Sequence, residues 1–125
     1  MNRFFLAAFL LSLSSSAFAA DASKMTECHG TEPFWSATIR SEKVVYKSNS
    51  TGEALTIRNK GALPSAAGST RFISLYQGRT EEDSSRFLNL IVKSEESCSD
   101  GMSDETYGAS AIVLSGSMLL YGCCK

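Results

Sequence analysis

The sequence is poor in the residues that usually carry catalysis. It contains one histidine, His29, and no Gly-x-Ser-x-Gly nucleophile elbow. A catalytic triad needs a histidine that is oriented by a carboxylate, and the sequence shows no evident carboxylate partner for His29. We therefore expect His29 in an exposed loop ahead of a strand, and we predict no catalytic residue.

A metal or cofactor site is not indicated either. A zinc site needs three or four ligands at suitable spacing, and Cys28 and His29 with the distant Cys98 do not supply that pattern. The acidic residues near Asp100 match no calcium-loop spacing. The cysteines are also not arranged as a Cys-x-x-Cys redox motif. The sequence predicts neither a metal nor a cofactor.

Long apolar runs are missing except at the N-terminus. Residues 1–19 combine a basic start at Arg3, an apolar run of about ten residues and a small-x-small ending at Ala19. This run is too short for a membrane span, which needs about 20 residues. The pattern predicts a secretory signal peptide cleaved near Ala19, a periplasmic or secreted location, and one domain over residues 20–125.

Neither sign of charge dominates the chain. It has 12 basic and 13 acidic residues, and removal of Arg3 with the leader would leave a formal charge of −2. Nucleic-acid binding usually shows as a basic patch or a high isoelectric point. The balance gives no reason to expect nucleic acid or an anionic membrane surface as a partner, and no transmembrane segment is expected in the mature chain.

No long helical period is visible between residues 20 and 125. Short runs rich in β-branched and aromatic residues alternate with turn signals, which is typical of strands. Ile73 and Leu75 share one strand face, as do Trp35 and Ala37, and Trp35 is expected in the core. We predict an all-β fold, a small antiparallel β-barrel of about seven to eight strands, with runs at 34–40, 43–47, 53–58, 71–77, 86–93, 107–114 and 118–123. Residues 59–69 and 95–105 are predicted as loops.

Four cysteines in a small exported domain indicate one or two disulfides. Of three pairings, Cys123 with Cys124 is the least favourable because a bridge between neighbours strains the intervening peptide. The other two pairings both join these residues to Cys28 and Cys98. Side chains at consecutive strand positions point to opposite faces, so one tail can serve two separate bridges.

Two segments stand out. Residues 28–35, Cys-His-Gly-Thr-Glu-Pro-Phe-Trp, place a glycine, an acid, a proline and two aromatics at a strand entrance. Residues 98–107, Cys-Ser-Asp-Gly-Met-Ser-Asp-Glu-Thr-Tyr, form a polar loop held by a cysteine and closed by an aromatic. Together with residues 120–123, these segments resemble a family of exported, largely uncharacterised bacterial envelope proteins. Its motifs read Gly-Asn/Thr-Glu-Pro-Phe-Trp, Cys-x-Asp-x-Met-Ser-Asp-x-x-Tyr and Leu-x-Gly-Cys.

This resemblance implies a compact β fold and an envelope location without an established activity. It also pairs Cys98 with Cys123, and the extra Cys124, which departs from the family pattern, then suggests a second bridge to Cys28. Gly108 stands where members often have proline. We expect a non-enzymatic envelope binding or structural module whose ligand the sequence does not name.

A weaker similarity runs to the periplasmic inhibitors of C-type lysozyme, which are small disulfide-tied β-barrels. Their loop reads Ser-Gly-x-x-Tyr, against Ser-Asp-Glu-Thr-Tyr at 103–107 here, and their Phe-Trp-x-Lys-Gly element is missing. The alternative function is inhibition of a basic protein such as lysozyme. A second alternative is a hydrolase of envelope glycans, which requires two carboxylates across one cleft. The candidate binding residues are Asp100, Ser103, Asp104, Glu105, Tyr107 and Glu32.

Overall fold

The computed structural model describes residues 19–64 and 68–125. Most of the predicted signal peptide, residues 1–18, lies outside the described residues. A short 3-10 helix, Ala22–Lys24, precedes the strands. The strands are β1 Glu27–Thr31, β2 Phe34–Ile39, β3 Lys43–Ser48, β4 Ala54–Arg58, β5 Leu63–Pro64, β6 Ile73–Arg79, β7 Phe87–Ser99, β8 Thr106–Ser115 and β9 Met118–Cys124.

All strands belong to one antiparallel sheet with the order β4-β3-β2-β1-β9-β8-β7-β6-β5. Its two ends approach each other beside β4. The Glu81 amide donates to the Thr56 carbonyl at 2.8 Å, and the Thr56 amide donates to the Glu82 carboxylate at 2.7 Å. Eight of the nine described strands have five or more residues. The sheet is a nearly closed barrel, as the sequence predicted.

The interior of the barrel is filled by alternate residues of the strands. Trp35 is only 2% exposed, and its ring centroid lies 6.2 Å from that of Tyr46. The predicted burial of Trp35 is confirmed. Other fully buried apolar side chains include Val44, Leu55, Ile57, Leu88, Leu90, Val92 and Val113.

In β6 the apolar residues face outward, whereas in the other strands the apolar face usually points into the barrel. Ile73 and Leu75 share a face, as predicted, but that face is the outer one, and Ser74 and Tyr76 point into the barrel. Ser74 is accommodated because its hydroxyl donates to the Thr70 carbonyl at 2.8 Å. The outward position of the two apolar residues continues across the sheet as one row, through Leu63, Leu75, Ile91, Ile112 and Tyr121.

Two predicted loops contain strand. The 59–69 segment includes β5, which pairs with β6, while residues 65–67 lie outside the described part. The predicted 95–105 loop begins inside β7, which continues to Ser99 after an irregularity between Ser94 and Cys98. The alternating apolar pattern stops at Lys93, so the polar continuation of this strand carries no periodic signal.

Both disulfides form as expected. Cys28 bridges Cys124 across a sequence separation of 96, and Cys98 bridges Cys123 across 25. Consecutive residues of β9 thus reach opposite faces of the sheet. No helix among residues 19–64 and 68–125 is long and apolar enough to cross a membrane.

Candidate functional site

The two sequence segments that stood out meet at one cleft of about 530 Å³. The first segment supplies residues 30–33, the second supplies residues 99–102, and β9 supplies residues 119–122. The first two segments are separated by about 70 positions of the chain, so only the closure of the barrel brings them together. We call this space the cleft.

The cleft opens where β1 and β9 separate. The two strands pair at Cys28 with Cys124 and at His29 with Cys123, and no further pairs follow. Beyond His29, β1 continues to Thr31 beside β2 only. In the other direction β9 continues back to Met118 beside β8 only. The barrel is therefore split along this line.

Two glycines leave room for close contacts where β1 and β9 separate. A Cβ on Gly30 would lie 2.6 Å from Cε2 and 2.8 Å from Cδ1 of Trp35, so the indole occupies that space. A Cβ on Gly122 would lie 2.7 Å from the carbonyl carbon of His29 and 2.8 Å from Cζ2 of Trp35. Gly30 thus leaves room for the Trp35 indole, and its φ is not positive.

A polar cluster holds the second segment over β1. His29 Nε2 lies 3.2 Å from Asp100 Oδ2, and Thr31 donates its hydroxyl to the Asp100 carbonyl at 2.9 Å. The His29 ring meets the Tyr107 ring edge-on at 4.9 Å between centroids. His29 therefore lies in a strand and has a carboxylate partner, so both expectations about its loop position and its isolation were wrong.

Asp100 also builds the turn that follows it. Its Oδ1 accepts the Met102 amide at 2.9 Å and the Ser103 amide at 3.3 Å. The bond from the Met102 amide, followed by the bond from His29, holds the pKa of Asp100 below its ordinary value. The carboxylate side chain is only 9% exposed, and it is kept ionised as an acceptor.

Tyr107 closes this cluster from the start of β8. Its hydroxyl donates to Glu105 Oε2 at 3.1 Å and lies 3.5 Å from Asp100 Oδ2. Partial burial, followed by the bond to Glu105 and the nearby negative charge, raises the pKa of Tyr107. Tyr107 is therefore a neutral donor that supports the loop, and its hydroxyl is turned toward the protein.

The remaining candidates separate into different roles. Ser103 accepts the Glu105 amide with its hydroxyl at 3.3 Å, so it shapes the loop. Asp104 is exposed and makes no hydrogen bond within the described chain, and it does not line the cleft. Glu32 is exposed and lines the cleft together with Asp100. The structure thus brings Glu32 and Asp100 to one space and leaves Asp104 outside it.

This arrangement bears on the glycan-hydrolase alternative. The acid of a glycosidase pair has a raised pKa so that it can give a proton to the leaving group. Asp100 has a lowered pKa because two backbone amides and His29 stabilise its charge. Its environment suits a hydrogen-bond acceptor better than a general acid.

Several residues that line the cleft were not predicted as binding residues, among them Thr31, Leu119 and Tyr121. The last two are 69% and 62% exposed and form an apolar part of the cleft lining, to which Glu32 also contributes. Large apolar side chains at alternate positions of β9 look like core residues in the sequence. Their outward direction would follow from Cys124 pointing inward with Cys28, but this needs the bridge pairing first.

Within residues 19–64 and 68–125, no three histidine, cysteine, aspartate or glutamate side chains are grouped to hold a metal ion. The resemblance to an exported envelope family rests on the motifs at 30–35, 98–107 and 120–123 and stays an expectation. Comparison of the chain with protein-family models, with curated proteins and with solved structures found no match.

Proposed function

We propose that this protein is an exported, non-enzymatic binding module of the bacterial cell envelope and that the cleft is its binding site. The observation that carries the proposal is the convergence of the two segments at 30–33 and 99–102 on one space. A core needs neither the exposed carboxylate of Glu32 nor the polar turn at Asp100, so a role in packing does not account for them. Concave sites that combine apolar walls with a few fixed polar groups are typical of ligand binding.

The cleft is also firmly held. The Cys98–Cys123 bridge fixes the start of the turn at 100–105 to β9, and the Asp100 contacts with His29 and Thr31 fix it to β1. A site that is already ordered loses less conformational entropy when a ligand binds. Such rigidity supports recognition of a ligand rather than a purely structural role for the turn.

The test is a capture experiment with the oxidised mature protein as bait in a cell-envelope extract. The matched baits are Glu32→Arg, which reverses a charge in the cleft, and Glu42→Arg, which makes the same change at the turn at the other end of β2. We expect the Glu32→Arg bait to recover about tenfold less of a specific protein or glycan, and the Glu42→Arg bait to recover as much as the wild type. Equal recovery by all three baits would refute the cleft as the binding site.

Inhibition of a C-type lysozyme is the second candidate function, and the geometry of the 103–107 loop supports it. Asp104 and Glu105 are exposed in a turn that is fixed at both ends, by Cys98 and by Tyr107. Acidic groups on a rigid turn suit a basic partner and give salt-sensitive association. The hydroxyl of Tyr107, however, is committed to Glu105 and Asp100, so the contact would be made mainly by carboxylates.

A lysozyme activity assay separates this candidate from the first. If the loop is inhibitory, the wild type slows lysozyme at low salt, and Asp104→Ala with Glu105→Ala weakens inhibition. The melting temperature should change little, because the one hydrogen bond that is lost, from Tyr107 to Glu105, is exposed. If the wild type has no effect at a large molar excess and low salt, the lysozyme candidate is wrong. The cleft proposal is unaffected by that result, because neither residue lines the cleft.

A further inference from the structure

We infer that the cleft takes an extended, positively charged peptide segment, which adds to β9 as an extra strand. This inference rests on the proposed function, since it names the class of ligand for the same site. Two features of the site support it: the direction of the backbone groups of β9 and the charge of the residues that line the cleft.

The backbone of β9 offers unpaired hydrogen-bonding groups to the cleft. Lys125 donates to the Glu27 carbonyl at 2.8 Å, and Glu27 donates back to the Lys125 carbonyl at 3.0 Å. In an antiparallel ladder such reciprocal pairs recur at every second residue, so Tyr121 and Leu119 also direct their N–H and C=O groups to the β1 side. Because the β1–β9 pairing ends at Cys123, the described residues offer these groups no strand partner.

An unpaired strand edge is a template for another strand. A peptide that lies along β9 exchanges main-chain hydrogen bonds with it, while alternate side chains enter pockets that set specificity. Opposite Tyr121 and Leu119, about three residues of a peptide would be engaged, spanning about 10 Å at the usual rise of a strand. The exposed side chains of the same two residues would pack beside the outward side chains of the peptide.

The buried Trp35 lies beside this site. Its indole nitrogen is against Gly30, which lines the cleft, although Trp35 itself does not line it. Among the described residues, the fully buried side-chain polar atoms without a partner are Ser94 Oγ and Ser115 Oγ, so the indole N–H is not one of them. The resonance of this N–H therefore serves as a reporter of changes at Gly30.

The sign of the ligand charge follows from the lining. Glu32 and Asp100 are the charged residues among those that line the cleft, and both are acidic. The turn adds Asp104 and Glu105 nearby, with no lysine or arginine between positions 99 and 107. Electrostatic complementarity therefore favours a segment with lysine or arginine beside its central residues.

The experiment begins with a random display library of nine-residue peptides, from which binders to the oxidised mature protein are selected. The selected peptides are synthesised with both ends capped and are titrated into the isotope-labelled protein. We expect lysine and arginine to be enriched, and shifts in the resonances of residues 119–122, Thr31 and the Trp35 indole N–H. Methylation of alternate peptide nitrogens should weaken binding about tenfold, because it removes main-chain hydrogen bonds.

Two protein variants test the strand geometry. Both Tyr121→Pro and Tyr121→Thr remove the aromatic ring. Only Tyr121→Pro also removes the backbone N–H that faces the cleft. An edge position whose N–H is free tolerates proline, so both variants should fold, and binding should fall about tenfold more in Tyr121→Pro. In the unbound wild type, the Leu119 and Tyr121 amides should exchange with solvent faster than those of Leu120 and Gly122, which face β8.

The outcomes separate the two proposals. Equal binding by Tyr121→Pro and Tyr121→Thr, or slow exchange of the Tyr121 amide, overturns strand addition. If no peptide is enriched but envelope capture still depends on Glu32, the cleft binds another class of ligand and the peptide inference alone is wrong. If peptides bind and shift only resonances away from the cleft, the peptide inference is wrong, and the proposed function fails as well if envelope capture is also independent of Glu32.

Discussion

Replacement of Gly30 by alanine is a sharp test of the packing that shapes the cleft. The new methyl group would lie 2.6 Å from Cε2 and 2.8 Å from Cδ1 of Trp35, and still closer to Nε1. Overpacking of this kind costs about 1–3 kcal/mol. Alanine also restricts the unfolded chain, which returns about 0.4–1 kcal/mol where the backbone angle suits it. Because the φ of Gly30 is not positive, we expect Gly30→Ala to lower the free energy of unfolding by about 1–2 kcal/mol.

The control is Gly78→Ala, where the added methyl would make ordinary contact with Ile57 Cβ at 3.4 Å. That change should be neutral or stabilising by about 0.5 kcal/mol, because glycine weakens a strand interior. The double variant Gly30→Ala/Trp35→Phe removes the indole atoms that clash, so its loss should be smaller than the sum of the two single losses. Urea unfolding followed by circular dichroism gives these values. If Gly30→Ala is as stable as Gly78→Ala, Trp35 does not fill this space.

Three further outcomes are expected. On the chain-entropy model, removal of the Cys28–Cys124 bridge should cost about 4.7 kcal/mol and removal of the Cys98–Cys123 bridge about 3.5 kcal/mol, because their sequence separations are 96 and 25. Urea unfolding of the two variants in which both cysteines of one bridge are replaced by serine measures these losses. A larger loss for the Cys98–Cys123 bridge would contradict the prediction. The native pKa of Asp100 lies below its ordinary value of 3.8, so the ionised carboxylate contributes fully to the free energy of unfolding above pH 3.8 and loses this contribution as the pH falls through the native pKa. The difference in the free energy of unfolding between wild type and Asp100→Asn should therefore shrink as the pH is lowered. A difference that does not change with pH would contradict this. Trp35→Ala should cost about 3–5 kcal/mol, and the native emission of the wild type should be blue-shifted; water-like emission would show that the ring is exposed.

The barrel was predictable because its signals are local. Strands such as β2, β4 and the 87–93 part of β7 alternate apolar and polar residues with period two, and a tight turn at Gly116 joins β8 to β9. The period states which residues share a face but does not state which face is inside. In β6 the more apolar face points outward, because Ser74 points inward and donates its hydroxyl to a backbone carbonyl there.

The site was only partly predictable because it depends on contacts distant in the sequence. The residues of the turn at 100–107 were identified from composition, but the partner of His29 lies 71 positions away at Asp100. The split between β1 and β9 begins where their pairing ends, at His29 and Cys123, and no local sequence pattern encodes that end. Glu32 could be nominated from its motif, whereas Leu119 and Tyr121, which line the same cleft, could not.

The neighbouring cysteines at the end of β9 have a consequence for how the last strand is aligned. Cys124 faces the interior and bonds Cys28, while Cys123 faces outward and bonds Cys98. Sliding the strand by one residue would exchange the two thiols and would also turn Leu119 and Tyr121 into the barrel. Bridges from Cys28 to Cys123 and from Cys98 to Cys124 would therefore identify a misaligned strand, and the native bridges identify the correct alignment. In a population of oxidised molecules, the disulfide isomer records for each molecule which alignment its last strand held when the bridges closed.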